Sequence, residues 1–188
     1  MIKPMSVKVI PNCLTLLRLL ATPVAVWLIG ENMMATAFWL FAAAALTDAV
    51  DGAIAKLFNA CTRIGGYLDP LADKALLVGV YVSLGFADHL PRWLVILVVF
   101  RDIVIVGGAV LYELAIGHLV MRPLLISKVN TLGQIVLASM VLGGHGFDMD
   151  IEKALDLMIG FVSGTVVLSA VAYGWVWGRA ALVGGDDA

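Results

Sequence analysis

Two acidic segments decide the organisation of this chain. Residues 48–56 read Asp-Ala-Val-Asp-Gly-Ala-Ile-Ala-Lys, and residues 65–74 read Gly-Gly-Tyr-Leu-Asp-Pro-Leu-Ala-Asp-Lys. Aspartates three or four positions apart share one face of a helix, so each segment presents a pair of carboxylates if it is helical. The two pairs are Asp48 with Asp51 and Asp69 with Asp73.

Four carboxylates at close range repel one another and lose hydration, unless cations neutralise them or some of them are protonated. A site for divalent metal ions resolves this conflict. Oxygen ligands without a nearby His or Cys favour Mg²⁺, Mn²⁺ or Ca²⁺ over Zn²⁺. Gly52, Gly65 and Gly66 allow the backbone to approach a bulky ligand closely at both segments.

The composition indicates an integral membrane protein. The chain has 188 residues, of which 62% are hydrophobic and only 14% charged, and its mean hydropathy is +1.01. A soluble domain is far less apolar. The net charge of -2 and the lack of basic runs argue against nucleic acid as a partner.

Six apolar stretches are long enough to cross a bilayer roughly 30 Å thick. We therefore expect one all-α membrane domain over residues 1–188, with six transmembrane helices and a short N-terminal interfacial helix within residues 1–13. A signal peptide is the alternative reading of the N-terminus, but Arg18 interrupts its apolar run. The predicted spans are 14–30, 33–57, 67–87, 91–115, 124–144 and 154–178.

Basic residues near the span ends predict the orientation, since they accumulate on the cytoplasmic side. With both termini in the cytoplasm, only Arg92 and Lys153 lie on the opposite side. This orientation places the acidic segments at the cytoplasmic ends of spans two and three. The residues assigned to the cytoplasmic side are Lys3, Lys8, Lys56, Arg63, Arg122, Lys128 and Arg179.

Some polar residues fall inside the predicted spans. Arg101 and Asp102 lie near the middle of span four, where an unpaired charge costs roughly 2.5–3.5 kcal/mol, so both are expected to face the protein interior. They form an ion pair with each other or between helices, or else Arg101 holds an anionic group of a substrate. Span five opens with a polar run that is expected to line the same cavity: Ser127, Lys128, Asn130, Thr131 and Gln134.

The remaining reactive residues carry no predicted role. His89, His118 and His145 lie in predicted connections far apart in sequence, and none is expected to be a ligand. Cys13 and Cys61 have no ligand spacing and are expected to be free thiols. Gly160 and Gly164 predict close helix packing, either within the bundle, which we favour, or at a dimer seam.

The acidic segments resemble the signature of the CDP-alcohol phosphatidyltransferases, Asp-x2-Asp-Gly-x2-Ala-Arg-x8-Gly-x3-Asp-x3-Asp. Every fixed position is met except one, where Lys56 stands in place of Arg. Lys keeps the charge but lacks the planar fork that suits phosphate. The resemblance extends to Pro11-Asn12-x2-Thr15-x2-Arg18, and is closest to the phosphatidylglycerophosphate and cardiolipin synthase branch.

The resemblance implies a fold of six transmembrane helices, a homodimer, and displacement of CMP from a CDP-linked lipid by an alcohol. It implies that Asp48, Asp51 and Asp69 bind two Mg²⁺ or Mn²⁺ ions, and that Asp73 is both a ligand and the general base. The residues implied to contact CDP-diacylglycerol are Asn12, Thr15, Gly52, Lys56 and Thr62. A bacterial inner membrane is the expected location.

The acceptor is predicted from residues outside the acidic segments. Phosphatidylglycerophosphate synthases, by the resemblance, carry two lysines at the start of span five, where this chain has Lys128 and Asn130. Asn130 removes one charge but keeps an amide that fits a phosphodiester. We therefore predict that Arg101, Lys128 and Asn130 bind phosphatidylglycerol, giving cardiolipin, with glycerol 3-phosphate as the alternative acceptor.

Two other classes of protein fit this sequence less well than an enzyme. A small ion or proton transporter would spread its charges through the membrane depth, whereas four carboxylates here cluster at one face. A noncatalytic membrane scaffold has no use for buried carboxylates. Release of CMP from CDP-diacylglycerol with Mg²⁺ or Mn²⁺ separates the enzyme from both.

Overall fold

The computed structural model describes the backbone of residues 5–58, 65–116 and 125–183, and the side chains of residues 16–47, 72, 74–108 and 125–176. The predicted all-α class is confirmed for these residues, which form six helices. The helices are α1 (Met5–Gly30), α2 (Met34–Phe58), α3 (Gly65–Phe86), α4 (Arg92–Ile116), α5 (Leu125–Gly146) and α6 (Glu152–Val183).

The first helix corrects one prediction. Residues 1–13 were expected to form a separate interfacial helix, but from Met5 onward they belong to α1, which continues through Pro11. Proline removes only its own N–H donor and distorts a helix locally, so it does not have to end one. The other helices begin and end within a few residues of the predicted spans, apart from the longer C-terminal end of α6.

Three connections share one type of helix cap. Asn32, Asp88 and Asp148 each have a positive φ, of 59°, 57° and 50°. Behind each of them a backbone N–H bonds the carbonyl five residues earlier, as from Met33 to Leu28 at 2.9 Å and from His89 to Leu84 at 2.9 Å. This Schellman geometry satisfies carbonyls at the helix end, and Asn or Asp can occupy its left-handed position in place of Gly.

The described chain divides into two compact units. The first contains α1, α2, α3 and the end of α5 from Ala138 onward. Its helix α1 packs against both α2 and α3. A Cβ at Gly79 of α3 would lie 3.0 Å from Cγ2 of Thr22, so glycine permits the close approach of α1 and α3.

The end of α5 is held against the start of α2 within the same unit. The rings of Phe38 and Phe147 meet edge to face with centroids 5.5 Å apart. A Cβ at Gly146 would lie 2.6 Å from the backbone nitrogen of Ala35. Only a glycine allows the two backbones to come this close.

The second unit contains α4, the first part of α5 to Leu137, and α6. Helix α4 packs against α6, and the core includes the fully buried Leu94, Leu137 and Val162. No described atom lies within 4 Å of a Cβ built at Gly160 or Gly164. Close packing of these glycines within the chain, which the sequence favoured, is therefore wrong for the described residues.

Large apolar side chains cover much of the described surface. Leu157 is 77% exposed, Leu125 78% and Phe86 83%, in a pattern unlike the scattered apolar residues of a soluble protein. Within the part of the chain whose side chains the structure describes, two helices are long and apolar enough to cross a membrane, Leu125–Gly146 and Glu152–Val176. Shorter apolar helices within the described residues are Leu16–Gly30, Met34–Thr47 and Lys74–Phe86.

Candidate active site

The four aspartates of the acidic segments lie on two helices of the first unit. Asp48 and Asp51 belong to α2, and Asp69 and Asp73 belong to α3. Both segments are therefore helical, as the pairing of carboxylates required. The side chains of these four residues lie outside the described set, so their role as metal ligands stays a prediction.

Contacts between the helices give the level of each aspartate along α1. Leu17, Arg18 and Ala21 of α1 line one cavity with Leu40 to Thr47 of α2, and the three-residue connection makes the two helices antiparallel. Counting residues along α2 from this contact places the backbone of Asp48 at the same height along the helix axes as the backbone of Thr15. By the same counting, the backbone of Asp51 lies at the height of Asn12.

Helix α3 packs against α1, and because only six residues separate α2 from α3, we infer that α3 runs parallel to α1. Gly79 of α3 lies beside Thr22 and Val26 of α1. Counting back from that contact brings Asp69 level with Leu14, and Asp73 level with Arg18. All four aspartates thus fall at the level of residues 12–18 of α1, within about two helical turns.

The residues implied to bind the donor lipid belong to the same two helices, α1 and α2. Asn12 and Thr15 are in α1, and Gly52 and Lys56 are in α2. Their side chains are outside the described set, and Thr62 lies outside the described residues altogether. Helix register brings Asn12 and Thr15 to the level of the aspartates and Gly52 beside Asp51, whereas Lys56 lies more than one helical turn further along α2.

A small cavity separates α1 from α2 directly beside this level. It has a volume of about 100 Å³ and is lined mainly by apolar side chains with Arg18 and Thr47. Arg18 is buried, with 5% of its surface exposed. Thr47, which directly precedes Asp48, donates its hydroxyl to the Ala43 carbonyl at 2.6 Å.

The second unit contains a buried polar cluster centred on Arg101. Arg101 and Asp102 are 3% and 7% exposed, which confirms that both face the protein interior. The Nη1 atom of Arg101 donates to Oδ1 of Asp102 at 2.7 Å. Its Nη2 atom donates to Oγ of Ser127 at 2.7 Å and to Oγ of Ser169 at 2.5 Å, so Arg101 joins α4 to α5 and α6.

A second polar contact lies one helical turn from the first. Thr165 of α6 donates its hydroxyl to Oδ1 of Asn130 on α5, at 3.0 Å. Ser127 and Asn130 are three residues apart on α5, and Thr165 and Ser169 are four apart on α6, so each pair shares one helix face. Two adjacent layers of polar side chains therefore connect α5 to α6, and the Arg101 layer also joins α4 to both.

Two donors in these layers have no partner among the described residues. Nε of Arg101 and Nδ2 of Asn130 are both buried without a hydrogen bond. A buried unsatisfied donor costs about 1–3 kcal/mol, and N–H groups can be satisfied only by an acceptor atom. An acceptor atom brought to either nitrogen would satisfy it.

A cavity of about 350 Å³ adjoins the polar layers. Ser127, Lys128 and Thr131 contribute its polar groups, and Leu132 and Ile135 its apolar ones. Three residues of the predicted polar run therefore line a cavity, whereas Asn130 and Gln134 are buried in the packed interior. Since Asp102 neutralises Arg101, the exposed Lys128 carries the net positive charge of this cavity and the adjoining layers.

Comparison with known proteins identifies the family. The sequence profile of the CDP-alcohol phosphatidyltransferases matches residues 8–176. The chain belongs to the CDP-alcohol phosphatidyltransferase family. This family is membrane-associated.

The similar proteins include a cardiolipin synthase and glycerol-3-phosphate phosphatidyltransferases. The human CMP-forming cardiolipin synthase is 33% identical over 180 residues, 87% of this chain and 60% of that protein. The chloroplastic CDP-diacylglycerol–glycerol-3-phosphate 3-phosphatidyltransferase 1 of Oryza sativa subsp. japonica is 32% identical over 183 residues, 88% of this chain and 56% of that protein. The Bacillus subtilis CDP-diacylglycerol–glycerol-3-phosphate 3-phosphatidyltransferase is 36% identical over 103 residues, 55% of this chain and 52% of that protein. The chain thus spans between about half and three fifths of the length of these relatives.

The donor atoms of this phosphatidyltransferase family member fit a hard divalent cation. The four aspartates offer oxygen atoms alone, which suit Mg²⁺ or Mn²⁺, and their helices bring them to one level. Among the residues with described side chains, no group of three or more His, Cys, Asp or Glu could hold a metal. The aspartates stand outside that set.

Sequence reasoning missed two residues of the polar layers. Ser169 and Thr165 of α6 are buried, at 0% and 6% exposure, and they contact Arg101 and Asn130. Isolated hydroxyl residues in an apolar helix are common, so they attract little attention in a sequence. Their spacing of four, which predicts a shared face, was the available signal.

Proposed function

We propose that the protein transfers a phosphatidyl group from CDP-diacylglycerol to the hydroxyl group of an alcohol and releases CMP. One observation carries this proposal: helix register brings the four aspartates to the level of Asn12 and Thr15, inside a unit where α1 contacts both aspartate-bearing helices. This arrangement combines a metal-binding set with the residues expected to hold the nucleotide lipid.

The proposed roles of the residues follow from their chemistry. Asp48, Asp51, Asp69 and Asp73 would hold two Mg²⁺ or Mn²⁺ ions, which when bound supply positive charge to the diphosphate of the donor. Asp73 would also accept the proton of the attacking hydroxyl. The hydroxyl oxygen forms a bond to the lipid-linked phosphorus while the bond from that phosphorus to the oxygen of CMP breaks.

The positive residues orient the donor in this proposal. Lys56 would contact a phosphate as a point charge, together with Asn12, Thr15, Gly52 and Thr62. Arg18 lies at the level of Asp73 and lines the cavity beside Thr47. A buried guanidinium at this level adds positive potential where the diphosphate would bind.

We infer that the acceptor is phosphatidylglycerol and the product cardiolipin. A phosphodiester carries one negative charge, and Lys128 supplies one positive charge beyond the neutralised Arg101–Asp102 pair. Nδ2 of Asn130 and Nε of Arg101, which have no partner among the described residues, would add two donors for phosphate oxygens if the acceptor reaches them. Glycerol 3-phosphate, with a doubly charged phosphate, is the alternative, and names of relatives support each choice.

The six helices would cross the membrane with both termini in the cytoplasm, in a bacterial inner membrane. The exposed apolar side chains support insertion, and the asymmetry of basic residues supports the orientation. The resemblance also supports a homodimer. Light scattering of the purified protein in detergent measures that oligomeric state.

Product analysis tests the acceptor and the reaction class separately. Purified protein with Mg²⁺ or Mn²⁺ receives CDP-diacylglycerol together with either phosphatidylglycerol or glycerol 3-phosphate. We expect CMP release and a cardiolipin mass with the first acceptor. If phosphatidylglycerophosphate is the sole product, the proposed acceptor is wrong. If neither acceptor causes release of CMP, the proposed reaction is wrong.

A further inference from the structure

The structure brings together two histidines that the sequence separates. His89 lies in the connection from α3 to α4, and His145 lies in the last turn of α5. Both belong to the first unit. Their ring centroids are 4.2 Å apart, with an angle of 61° between the ring planes.

The backbone fixes the tautomer of His145. Its Nδ1 atom lies 2.9 Å from the carbonyl oxygen of Val141. A carbonyl can only accept a hydrogen bond, so Nδ1 is the protonated nitrogen and Nε2 of the neutral ring carries the free electron pair. Metal-binding histidines are commonly oriented by such a bond from the nitrogen that does not bind the metal.

The cap at the end of α3 positions the second histidine. Asp88 occupies the left-handed position, and the backbone N–H of His89 bonds the Leu84 carbonyl at 2.9 Å. Burial lowers the pKa of the half-buried His89, the adjacent His145 lowers it further, and Asp88 partly offsets both effects. The cap thus fixes the backbone of His89 at the point where its ring meets that of His145.

We propose that His89 and His145 together bind one divalent transition-metal ion, of which Zn²⁺ is the test case. Two imidazoles on a tetrahedral Zn²⁺, with Zn–N bonds of about 2.0–2.1 Å, have ring centroids roughly 5 Å apart. The observed separation of 4.2 Å is shorter than this, so the two rings would move apart by about 1 Å to share one ion. Water completes the coordination, and the carboxylate of Asp88 lies close enough to offset part of the added charge.

This site differs in chemistry from the aspartate set. Imidazole nitrogen selects Zn²⁺, Ni²⁺ or Cu²⁺, whereas carboxylate oxygen suits Mg²⁺ and Mn²⁺. A bound ion would tie the α3–α4 connection to the end of α5, so its expected effect is on the stability of the first unit. The proposal does not depend on the proposed reaction.

Calorimetry tests the site in the full chain. Purified protein in detergent, without a polyhistidine tag, is stripped of metal and saturated with Mg²⁺ to occupy carboxylate sites, and Zn²⁺ is then titrated in. We expect one equivalent of Zn²⁺ to bind, and binding to weaken at least tenfold in His89→Ala and in His145→Ala. His118→Ala, which removes the third histidine of the chain, is the matched control and should keep wild-type binding.

A measurement on the unaltered protein guards against misfolded variants. Diethylpyrocarbonate modifies free imidazole rings, and bound Zn²⁺ should protect His89 and His145 at least fivefold, as measured by mass spectrometry. Equal modification with and without Zn²⁺ overturns the proposal. Zn²⁺ binding that is unchanged in both variants also overturns it, because the ion then binds elsewhere in the chain.

Discussion

Arg101 illustrates how a buried charge can be satisfied and still remain available to a ligand. Its Nη atoms are bonded to Asp102, Ser127 and Ser169, but Nε has no partner among the described residues. The sequence left two readings open for this residue, an ion pair or an anion-binding group. The ion pair is observed, and binding of the acceptor at Nε stays a proposal.

Replacement of Ser169 by alanine tests whether the hydroxyl positions Arg101 for the acceptor. The loss of one hydrogen bond to a charged group costs about 1.5–3 kcal/mol. We expect the KM for phosphatidylglycerol to rise about tenfold or more, since 1.4 kcal/mol corresponds to about tenfold, with the KM for CDP-diacylglycerol unchanged.

Ser163→Ala is the matched control on the same helix, because that hydroxyl bonds only its own helix, at the Gly160 carbonyl. Ser169→Thr keeps a hydroxyl and should restore part of the acceptor binding. Equal changes in both KM values would assign Ser169 a purely structural role.

The aspartates of the acidic segments are tested one at a time. Asp48→Asn, Asp51→Asn, Asp69→Asn and Asp73→Asn should each lower kcat by about 100-fold or more, as expected when an acid–base or metal-binding group is removed. Excess chelator should abolish CMP release by the unaltered protein.

Asp156→Asn is the control for those variants, since Asp156 is an exposed aspartate outside the motif. Membrane insertion is checked by extraction and gel filtration in detergent. Wild-type activity in any two of the four variants contradicts the proposed metal site.

The titration of His89 makes the stability of the folded protein depend on pH in a predictable direction. Its pKa in the folded protein lies below the ordinary value of 6.5, so the unfolded chain binds the proton more readily. Its contribution to stability is therefore complete above about pH 6.5, and is lost as the pH falls from there to the folded pKa.

Thermal unfolding in detergent with chelator present measures this effect between pH 7.5 and pH 5. The melting temperature should fall less steeply on acidification in His89→Gln than in the wild type or in His118→Gln. A parallel fall in all three proteins would exclude His89 as the titrating group.

At the scale of helices, the effect of a substitution on stability can be predicted more sharply at a close backbone contact than in apolar packing. Gly146 stands against the backbone of Ala35, where a Cβ would lie 2.6 Å from a nitrogen atom and 2.7 Å from Cα. These close atoms belong to the backbone of Ala35, which cannot rotate away from a new methyl group as a side chain can. Gly146→Ala should therefore destabilise the protein by roughly 2 kcal/mol, within the range for overpacking.

Gly107→Ala is the control, because no described atom lies within 4 Å of its Cβ position. Alanine is the better helix former, so this change should stabilise the protein by roughly 0.5–1 kcal/mol. Chemical unfolding monitored by circular dichroism gives both values. A cost at Gly107 equal to that at Gly146 would contradict the contact.

The helices could be predicted well because their signal is local. Apolar runs bounded by Asn32, Asp88 and Asp148 mark where α1, α3 and α5 end, and the caps at those residues explain why. The start of α1 at Met5 was missed because Pro11 and the two lysines before it suggested a boundary that the helix does not require.

Only those parts of the candidate site that belong to a sequence motif could be predicted from the sequence. The aspartate spacing identified a family, whereas Ser169, Thr165 and the His89–His145 contact depend on which faces of distant helices meet. Periodicity does not supply that information in helices that are apolar on all sides. The proposed roles of the aspartates themselves still rest on helix register and resemblance.

For the whole molecule, the proposed orientation in the membrane would decide from which side a nucleotide-linked donor reaches the aspartates. In a variant with Cys13→Ser, Cys61 is the single remaining cysteine, in the segment between α2 and α3. We expect a membrane-impermeant maleimide to label Cys61 only from the cytoplasmic side, where basic residues accumulate.

Met149 provides the opposite test position, since it is 59% exposed in the connection after α5. Met149→Cys, in a chain lacking both natural cysteines, should be labelled only from the other side. Labelling of Cys61 from outside alone would reverse the proposed topology.

The polar layers between α5 and α6 also bear on how the chain is inserted during synthesis. Ser127, Lys128 and Asn130 lower the affinity of α5 for lipid, and among the described residues Oδ1 of Asn130 accepts its hydrogen bond from Thr165 of α6. We therefore expect the translocon to release α5 and α6 as a hairpin rather than one after the other. A chain truncated after Met149 should be extracted by alkaline carbonate more readily than the full chain, and Thr165→Val should slow the appearance of the carbonate-resistant form.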